Sequence, residues 1–283
     1  MAYGTLYLCA TPIGNLGDMT TRAVEILKSV DLIAAEDTRN SIKLLNHFDI
    51  HTPMTSYHEY NRFDKADELV EKLKAGENIA CITDAGTPGI SDPGEVLVEK
   101  CVEAGILVTS IPGPSACISA LIISGLSTRR FRFEAFLPTE KKERAALLTE
   151  IAEDTATLII YEAPHRLKKT LDELKEALGD RKISLCKELT KLHENVQRTT
   201  LSGAVKYYED NEPKGEYVLV IEGKTLAGKA EEARASWDEM TIAEHFLFYV
   251  KQGMDRKEAM KAVAKDRGIA KRDVYAEVMN LEE

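Results

Sequence analysis

The chain has 283 residues, 44% of them hydrophobic, which is enough for two well-packed domains and a small appendage. It has no apolar run of membrane-spanning length and no basic N-terminal segment typical of a secretory signal, so we expect a cytoplasmic protein without membrane contact. Its cysteines show no paired spacing, so we expect neither a disulfide framework nor a zinc site. The net charge of −10 disfavours a protein that coats free nucleic acid.

Strand and helix patterns alternate along the first half of the chain. Short apolar runs predict five strands, at residues 5–10, 31–35, 54–57, 79–82 and 107–111. Apolar residues at helical spacing predict helices between them, at residues 21–30, 41–48, 65–75 and 95–104. This alternation predicts a mostly parallel sheet with helices on its faces. A Pro-Gly-Pro turn then ends the pattern, so we expect the first α/β domain to span residues 1–113.

The second part of the chain mixes short strands with helices. Strands are predicted at residues 131–136, 157–161, 183–189, 197–201 and 217–222. Helices are predicted at residues 119–124, 141–152, 166–178 and 204–209. Short strands separated by turns predict a second α/β domain with a mixed sheet, over residues 114–223.

The C-terminal part of the chain is predicted to be helical. Residues 224–237 are poor in large apolar side chains and are predicted to form a linker. Within the domain expected over residues 238–283, helices are predicted at residues 241–252, 256–267 and 272–281. Gly268 is the kind of residue that commonly follows a helix end.

A basic cluster sets this segment apart from the acidic chain. Residues 251–275 hold eight basic and four acidic residues, a local net charge of +4. Lys257, Lys261 and Lys265 recur every four residues and therefore share one helix face. This pattern fits an ordinary solvated face, and it also fits a surface that contacts RNA.

The loop at residues 83–94 is the most informative segment. It reads Thr-Asp-Ala-Gly-Thr-Pro-Gly-Ile-Ser-Asp-Pro-Gly and joins a predicted buried strand to a predicted helix. Glycine allows a ligand to approach bare backbone, and proline stiffens a turn. Open α/β sheets bind ligands at such loops, beyond the carboxyl ends of their strands. An ordinary strand-to-helix connection is the alternative.

Loops rich in polar residues, glycine or proline follow all five strands predicted in the first half. They lie at residues 11–18, 36–39, 58–61, 83–94 and 112–116. In a parallel sheet these loops share one edge, which predicts one cleft. The sequence has no G-x-G-x-x-G and no His-Glu-x-x-His motif, and no Gly-Lys-Ser/Thr closes a phosphate loop. We therefore expect neither a pyrophosphate ligand nor a metal.

Eight segments in this order carry a family resemblance, at residues 10–16, 35–39, 56–59, 83–94, 111–116, 162–166, 186–191 and 215–217. They resemble the tetrapyrrole methylase family and, within it, the bacterial enzymes that methylate a cytidine 2′-hydroxyl in 16S ribosomal RNA. The first loop reads Thr-Pro-Ile-Gly-Asn, unlike the G-x-G-x-G-like loop of the general tetrapyrrole methylases. This departure weighs against a tetrapyrrole substrate.

The resemblance implies a tetrapyrrole-methylase-like fold, with two α/β domains that hold S-adenosylmethionine in the cleft between them, and a homodimer. It implies methyl transfer to the ribose 2′-hydroxyl of a cytidine in the decoding region of 16S ribosomal RNA. The acidic total charge favours the assembled small ribosomal subunit as substrate. Two alternatives stay open: a methyltransferase of tetrapyrroles of the precorrin type, and a non-catalytic ribosome-binding module.

The candidate site residues form three groups. Those expected to bind the cofactor are Pro12, Asp84, Ala85, Gly86, Pro88, Gly89, Ile90, Ser115 and Ala116. Those considered for proton removal are Glu36, Asp37, Glu59, Asp84, Lys187 and Glu188. As alternatives, Glu36 and Asp37 fit a helix cap, and Lys187 with Glu188 fits a strand-end ion pair. Those expected to contact RNA are Arg39, His165, Arg166, Lys257, Lys261 and Lys265.

Overall fold

A computed structural model describes residues 2–225, 237 and 240–279. The chain divides into two compact units. The first comprises Met1–Ala152 and Ala156–Glu222, and the second comprises Glu153–Thr155 and Gly223–Glu283. Within residues 2–225, 237 and 240–279, no helix combines the length and apolar character needed to cross a membrane.

The first sheet is parallel throughout, with strand order β3-β2-β4-β1-β5. Its strands are β1 (Thr5–Cys9), β2 (Leu32–Ala35), β3 (Met54–Ser56), β4 (Ile79–Ile82) and β5 (Leu107–Ile111). The connecting helices are α1 (Thr21–Ser29), α2 (Thr38–His47), α3 (Arg62–Lys74) and α4 (Gly94–Glu103). The prediction of a parallel sheet is confirmed. Helix α2 begins three residues before its predicted start because the Asp37 carboxylate caps it.

The second sheet is mixed, with strand order β6-β7-β10-β8-β9. Only the β6–β7 pair is parallel. Its strands are β6 (Phe131–Phe136), β7 (Thr157–Glu162), β8 (Lys182–Lys187), β9 (Asn195–Thr200) and β10 (Tyr217–Ile221). The helices of this region are α5 (Ala116–Ile123), α6 (Lys141–Ala152), α7 (Pro164–Leu178) and α8 (Leu201–Asp210). The predicted mixed sheet is confirmed.

Apolar side chains cover both faces of each sheet. In the first sheet, α3 and α4 pack on one face through residues such as Leu69 and Leu97, while α1 packs on the other through Leu27. In the second sheet, one face carries α6, α7 and α8 and the other carries α5. Burial on both faces explains the continuous apolar run at Ile79–Ile82. All five cysteines are buried and free.

Three helices form the described part of the C-terminal unit: α9 (Ile242–Lys251), α10 (Arg256–Arg267) and α11 (Lys271–Met279). Thr241 and Glu244 form a reciprocal capping box at the start of α9. Gly268 follows α10 with a φ of 64°, a left-handed conformation that suits glycine. The core of these helices consists of Phe246, Ala259, Val263, Val274 and Val278.

The predicted domain limits remain predictions. Residues 226–236, which make up most of the predicted linker, lie outside the described residues, as do residues 280–281 at the end of the last predicted helix.

Phe246 is expected to be essential for the stability of the helical unit. Its side chain is only 3% exposed, whereas the neighbouring Leu247 is 41% exposed. Replacement of Phe246 by alanine should cost the unit about 3–5 kcal/mol, because a cavity replaces a buried ring. Hydrogen exchange of the amides at residues 242–279 measures this loss. Leu247→Ala is the control, and equal exchange in the two variants would contradict the core assignment.

Candidate functional site

Backbone hydrogen bonds join the loops that follow β1 and β4. The Thr11 amide donates to the Gly86 carbonyl at 2.8 Å, and the Gly86 amide donates to the Thr11 carbonyl at 3.0 Å. The buried Thr11 hydroxyl donates to the Thr83 carbonyl at 3.0 Å. β1 and β4 are neighbours, but the chain leaves them towards opposite sides of the sheet. Such a switch point is where open α/β sheets form a ligand crevice.

The Asp92 carboxylate holds the loop at residues 83–94 in shape. It accepts hydrogen bonds from the amides of Gly89, Ile90 and Gly94 at 2.8–3.3 Å. Burial raises the pKa of Asp92, although these amides act in the opposite direction. A Cβ atom at Gly94 would lie 2.7 Å from a carboxylate oxygen of Asp92, so this turn requires glycine. Asp92 therefore has a structural role in the loop.

A cavity of about 290 Å³ lies beside this loop, between the two sheets of the first unit. One wall contains five residues predicted to bind a cofactor: Ala85, Gly86, Ile90, Ser115 and Ala116. Ile13 and Thr87 also line this wall. The other residues predicted for this role do not line the cavity, although each is next in sequence to a residue that does: Pro12, Asp84, Pro88 and Gly89.

The second sheet supplies the other wall; the resemblance implied a cleft between two domains, but none of the lining residues of this wall was predicted individually. This wall includes Phe136, Tyr161, Glu162, Ala163, Cys186, Leu189, Lys191, Glu216, Tyr217 and Val218. Several of them belong to segments that carry the family resemblance, at residues 162–166, 186–191 and 215–217. That was the one signal available, and it did not single out individual side chains.

Tyr161 connects this wall to helix α5. Its hydroxyl accepts a hydrogen bond from the Cys117 amide at 3.1 Å. The rings of Phe133 and Phe136 pack edge-on against it, with centroids 5.0 and 5.8 Å away. Burial raises the pKa of Tyr161, so its hydroxyl stays protonated at neutral pH.

Lys191, Glu188 and Glu216 form an ionic cluster at the cavity, here called the Lys191 group. The Lys191 ammonium donates to Glu188 Oε1 at 2.9 Å and to Glu216 Oε2 at 2.7 Å. The Glu216 amide donates to Glu188 Oε1 at 2.9 Å. Two carboxylates and one ammonium leave the group with a net charge of −1 when all three are ionised.

The contacts within the Lys191 group keep its charges in place. Hydrogen bonding from the Glu216 amide, followed by that from Lys191, lowers the pKa of Glu188. Burial opposes the charge on Lys191, but hydrogen bonds to Glu216 and Glu188 raise the pKa of the ammonium. The predicted residue Glu188 does not line the cavity, but it contacts two residues that do.

Glu36 and Asp84 lie together at the carboxyl ends of strands β2 and β4 of the first sheet. Glu36 accepts hydrogen bonds from the Thr83 hydroxyl and from the Asp84 amide, the latter at 3.2 Å. The Asp84 carboxylate accepts from the Asp37 amide and from the Asn40 side chain, both at 3.2 Å. These contacts fix the loops that follow β2 and β4.

Two other predicted bases have local partners. The Asp37 carboxylate accepts hydrogen bonds from the Arg39 amide at 2.9 Å and from its guanidinium at 2.8 and 3.0 Å. Hydrogen bonding to Arg39 lowers the pKa of Asp37 to about 2. The alternative of a helix cap is thus confirmed for Asp37. Glu59 pairs with Arg62. Neither acidic residue lines the cavity, nor does Lys187 at the end of β8.

The residues predicted to contact RNA have different surroundings. Arg166 donates to the Leu137 carbonyl at 2.8 Å and lies 3.5 Å from the buried Glu162 carboxylate. His165 and Arg39 are exposed. Arg166 therefore takes part in the protein's own network of contacts, and its contact with RNA remains a prediction.

The three lysines of α10 are exposed, and Ala259 and Val263 of the same helix are buried. The lysines therefore lie on the solvent-exposed side of α10, away from its buried residues. Across residues 2–225, 237 and 240–279, no group of three or more His, Cys, Asp or Glu side chains could hold a metal ion.

Comparison with known proteins identifies the family to which the chain is similar. A profile described as tetrapyrrole (corrin/porphyrin) methylases matches residues 5–205. The chain is 50% identical to the ribosomal RNA small subunit methyltransferase I of Synechocystis sp., over 99% of both chains. It is 45% identical to the protein of that name from Bacillus subtilis, over 96% of this chain and 93% of that one. The identity with the Haemophilus influenzae protein of that name is also 45%, over 96% and 95%.

Solved structures share the fold at much lower identity. A diphthine synthase superposes with a TM-score of 0.60 and 15% identity, over 79% of this chain and 91% of the other. The uroporphyrin-III-C-methyltransferase of Thermus thermophilus superposes with a TM-score of 0.54 and 18% identity, over 81% and 98%. The predicted fold class is confirmed.

The Lys191 group should give the protein a pH-dependent contribution to stability. The pKa of Glu188 is lowered in the folded state, so its ionised form stabilises the fold above the ordinary glutamate pKa of about 4.3. This contribution is lost as the pH falls through the folded-state value. Glu188→Gln should destabilise the protein by roughly 1 kcal/mol at pH 7, and the difference from wild type should shrink below about pH 4.

Thermal unfolding across this pH range measures the effect. Glu71→Gln is the control, because Glu71 forms an exposed ion pair with Lys74 and should contribute little. A penalty for Glu188→Gln that does not change with pH would contradict the assignment.

Proposed function

The chain belongs to the tetrapyrrole methylase family, and on that premise we propose that it methylates the RNA of the small ribosomal subunit with S-adenosylmethionine as methyl donor. The observation that supports this RNA substrate is the identity of 45–50%, over nearly the whole chain, to proteins named ribosomal RNA small subunit methyltransferase I. The solved structures of a uroporphyrin-III-C-methyltransferase and a cobalt precorrin-4 methyltransferase resemble it at 18% and 17% identity, which supports only a common fold.

The cavity supports a site for S-adenosylmethionine. Gly86 lines it in a conformation with a φ of 90°, and a Cβ atom there would lie 3.4 Å from the Ile13 side chain. Ser115 and Ala116 add small side chains at the start of α5. Bare backbone and small residues leave room for the methionine and adenosine parts of the donor. Asp84 lies outside this lining, so its proposed role is to hold the adjoining loops.

The charges around the cavity also suit this donor. When bound, S-adenosylmethionine supplies a methyl group activated by a positively charged sulfonium. The Lys191 group has a net charge of −1 and lies at the cavity, so it attracts a cation there. The proposed role of Glu188 is to hold Lys191 and Glu216 in place. The apolar side chains of Ile13, Ile90 and Leu189 reduce the water in the site.

We propose the ribose 2′-hydroxyl of a cytidine in the decoding region as the methyl acceptor. Transfer to a hydroxyl is an in-line displacement, so the protein's main task is to align the ribose oxygen with the methyl group. Two walls on separate sheets, joined by the Tyr161–Cys117 hydrogen bond, provide fixed sides for this alignment. Tyr161 and Lys191 have raised pKa values and stay protonated, so neither is the proposed base.

The basic face of α10 is the proposed docking surface for RNA. Lys257, Lys261 and Lys265 are exposed on one helix whose other side is buried in its own core. Docking through a basic face would allow a protein with a net charge of −10 to approach an RNA particle. An assembled small subunit remains the proposed substrate. The homodimer implied by the family resemblance is also part of the proposal.

The function can be tested in cells that lack the protein. Mass mapping of small subunit RNA should show one cytidine without its 2′-O-methyl group, and the wild-type chain should restore it. Gly86→Val should fail to restore it, because a branched side chain enters the cavity at a positive φ. Calorimetry on the purified variant should show that binding of S-adenosylmethionine is lost.

Gly105→Val is the matched control for Gly86→Val. Gly105 also has a positive φ, of 69°, but no atom lies within 4 Å of its Cβ position, and it does not line the cavity. The Gly105→Val variant therefore has backbone strain like that of Gly86→Val, but it should bind the donor with wild-type affinity. Unchanged methylation in the deletion strain would refute the RNA substrate. Full donor affinity in a folded Gly86→Val variant would refute the donor site.

The docking role of α10 can be tested separately. Replacement of Lys257, Lys261 and Lys265 by alanine should raise the KM for small ribosomal subunits and leave donor affinity unchanged. The salt dependence of subunit binding should fall by up to about 3 in slope, because three phosphate contacts are lost. The control replaces three other exposed lysines, Lys28, Lys43 and Lys206. If both triple variants have equal effects, the loss comes from the change in the protein's total charge, and the docking role of α10 is wrong.

A further inference from the structure

Phe136 is an exposed aromatic residue at the cavity. It lies at the C-terminal end of β6 and lines the wall formed by the second sheet. Its side chain is 54% exposed, although its ring packs edge-on against Tyr161. A large apolar ring that lines a cavity and remains more than half exposed is well placed to contact whatever enters it.

The backbone around Phe136 departs from a regular strand. The β6–β7 pairing shifts register between Phe133 and Phe136. Ala135, inside this irregularity, has a φ of 48°, which is costly for a residue other than glycine. Bulges of this kind turn a side chain to a new direction and are frequent beside active sites. The irregularity therefore accounts for a strand-end aromatic residue at the cavity wall.

Contacts on the C-terminal side of Phe136 hold it in place. Arg166 donates to the carbonyl of the next residue, Leu137, and its guanidinium lies 3.5 Å from the buried Glu162 carboxylate. Glu162 in turn accepts hydrogen bonds from the Ala163 amide at 2.8 Å and from the Thr170 hydroxyl. The position of Phe136 is thus determined from both sides, by Tyr161 and by this buried network.

We infer that Phe136 stacks on the nucleobase of the nucleotide that is methylated. The inference rests on the proposed function and names a substrate-binding residue for it. An aromatic ring is the usual partner of an unstacked base in RNA recognition. If the ribose lies in the cavity, its base is one bond away from the sugar ring and lies close to the cavity wall. Stacking there would hold the ribose in line for transfer.

The arrangement of the walls favours a substrate base over the methyl donor as the partner of Phe136. The residues proposed for the donor, Gly86, Ser115 and Ala116, belong to the loop after β4 and to the region around the start of α5. Phe136 belongs to the second sheet, on the other wall. The donor is proposed to contact the first wall through its backbone and small residues and the second wall at the Lys191 group, which leaves this ring for the acceptor.

Kinetics on small subunits from cells that lack the protein test the inference. Phe136→Ala should raise the KM for subunits by roughly tenfold to a hundredfold, the effect expected from one lost base–aromatic stack. Donor affinity and melting temperature should stay at their wild-type values, because the side chain is largely exposed. Phe136→Trp should retain a KM near that of wild type, whereas Phe136→Leu, apolar but not aromatic, should resemble Phe136→Ala.

Phe131→Ala is the matched control. Phe131 lies on the same strand, is 45% exposed and does not line the cavity. If Phe136→Ala loses donor affinity, the ring belongs to the donor site and the inference is wrong. It is equally wrong if KM is unchanged, or if Phe136→Leu performs as well as Phe136→Trp. If the wild-type enzyme itself fails to methylate these subunits, the proposed function fails instead.

Discussion

The pair of hydrogen bonds between Thr11 and Gly86 is the constraint on which the cavity depends. It joins the loops that follow two neighbouring strands, β1 and β4, at the point where the chain leaves them in opposite directions. Gly86 meets this constraint with a positive φ, and the loop beyond it is held by Asp92 from within. The first wall of the cavity is therefore built from backbone that the protein's own hydrogen bonds hold in place, and preorganisation of this kind reduces the cost of binding.

The two walls have different chemistry because two kinds of sheet supply them. A parallel sheet directs all its loops to one edge, and these loops supply small residues and bare backbone. The mixed sheet presents both ends of its strands there, so Tyr161 at the end of β7 and Tyr217 at the start of β10 both line the cavity. Aromatic and charged side chains concentrate on this second wall. One wall suits a compact ligand held by backbone, and the other suits a larger partner recognised through side chains.

The sequence was sufficient for the first wall and insufficient for the second. Alternating patterns and a glycine-proline loop predicted the parallel sheet, its cleft and five of the lining residues, because these features depend on local chain geometry. Lys191 and Glu216 are brought together by the pairing of β8 with β10 and by the turns beside it, which depend on distant parts of the chain. Phe136 was missed for another reason: strict alternation would place it on the face of Arg132 and Glu134, whereas the irregularity in β6 brings its ring beside Tyr161, which Phe133 also contacts. Asp37 fitted both a base and a helix cap in the sequence; its hydrogen bonds to Arg39 show the cap, and its role as a base stays a prediction.

The shared lining of the cavity links ligand concentration to the lifetime of the protein. A molecule bound there touches both sheets and binds the folded chain only, so it shifts the unfolding equilibrium by mass action. At a hundred times its Kd, such a ligand adds about 2.7 kcal/mol to the free energy of unfolding. Cells starved of that ligand would carry a larger unfolded fraction, which proteases remove. Abundance of this protein would then follow the ligand pool without any change in its gene expression.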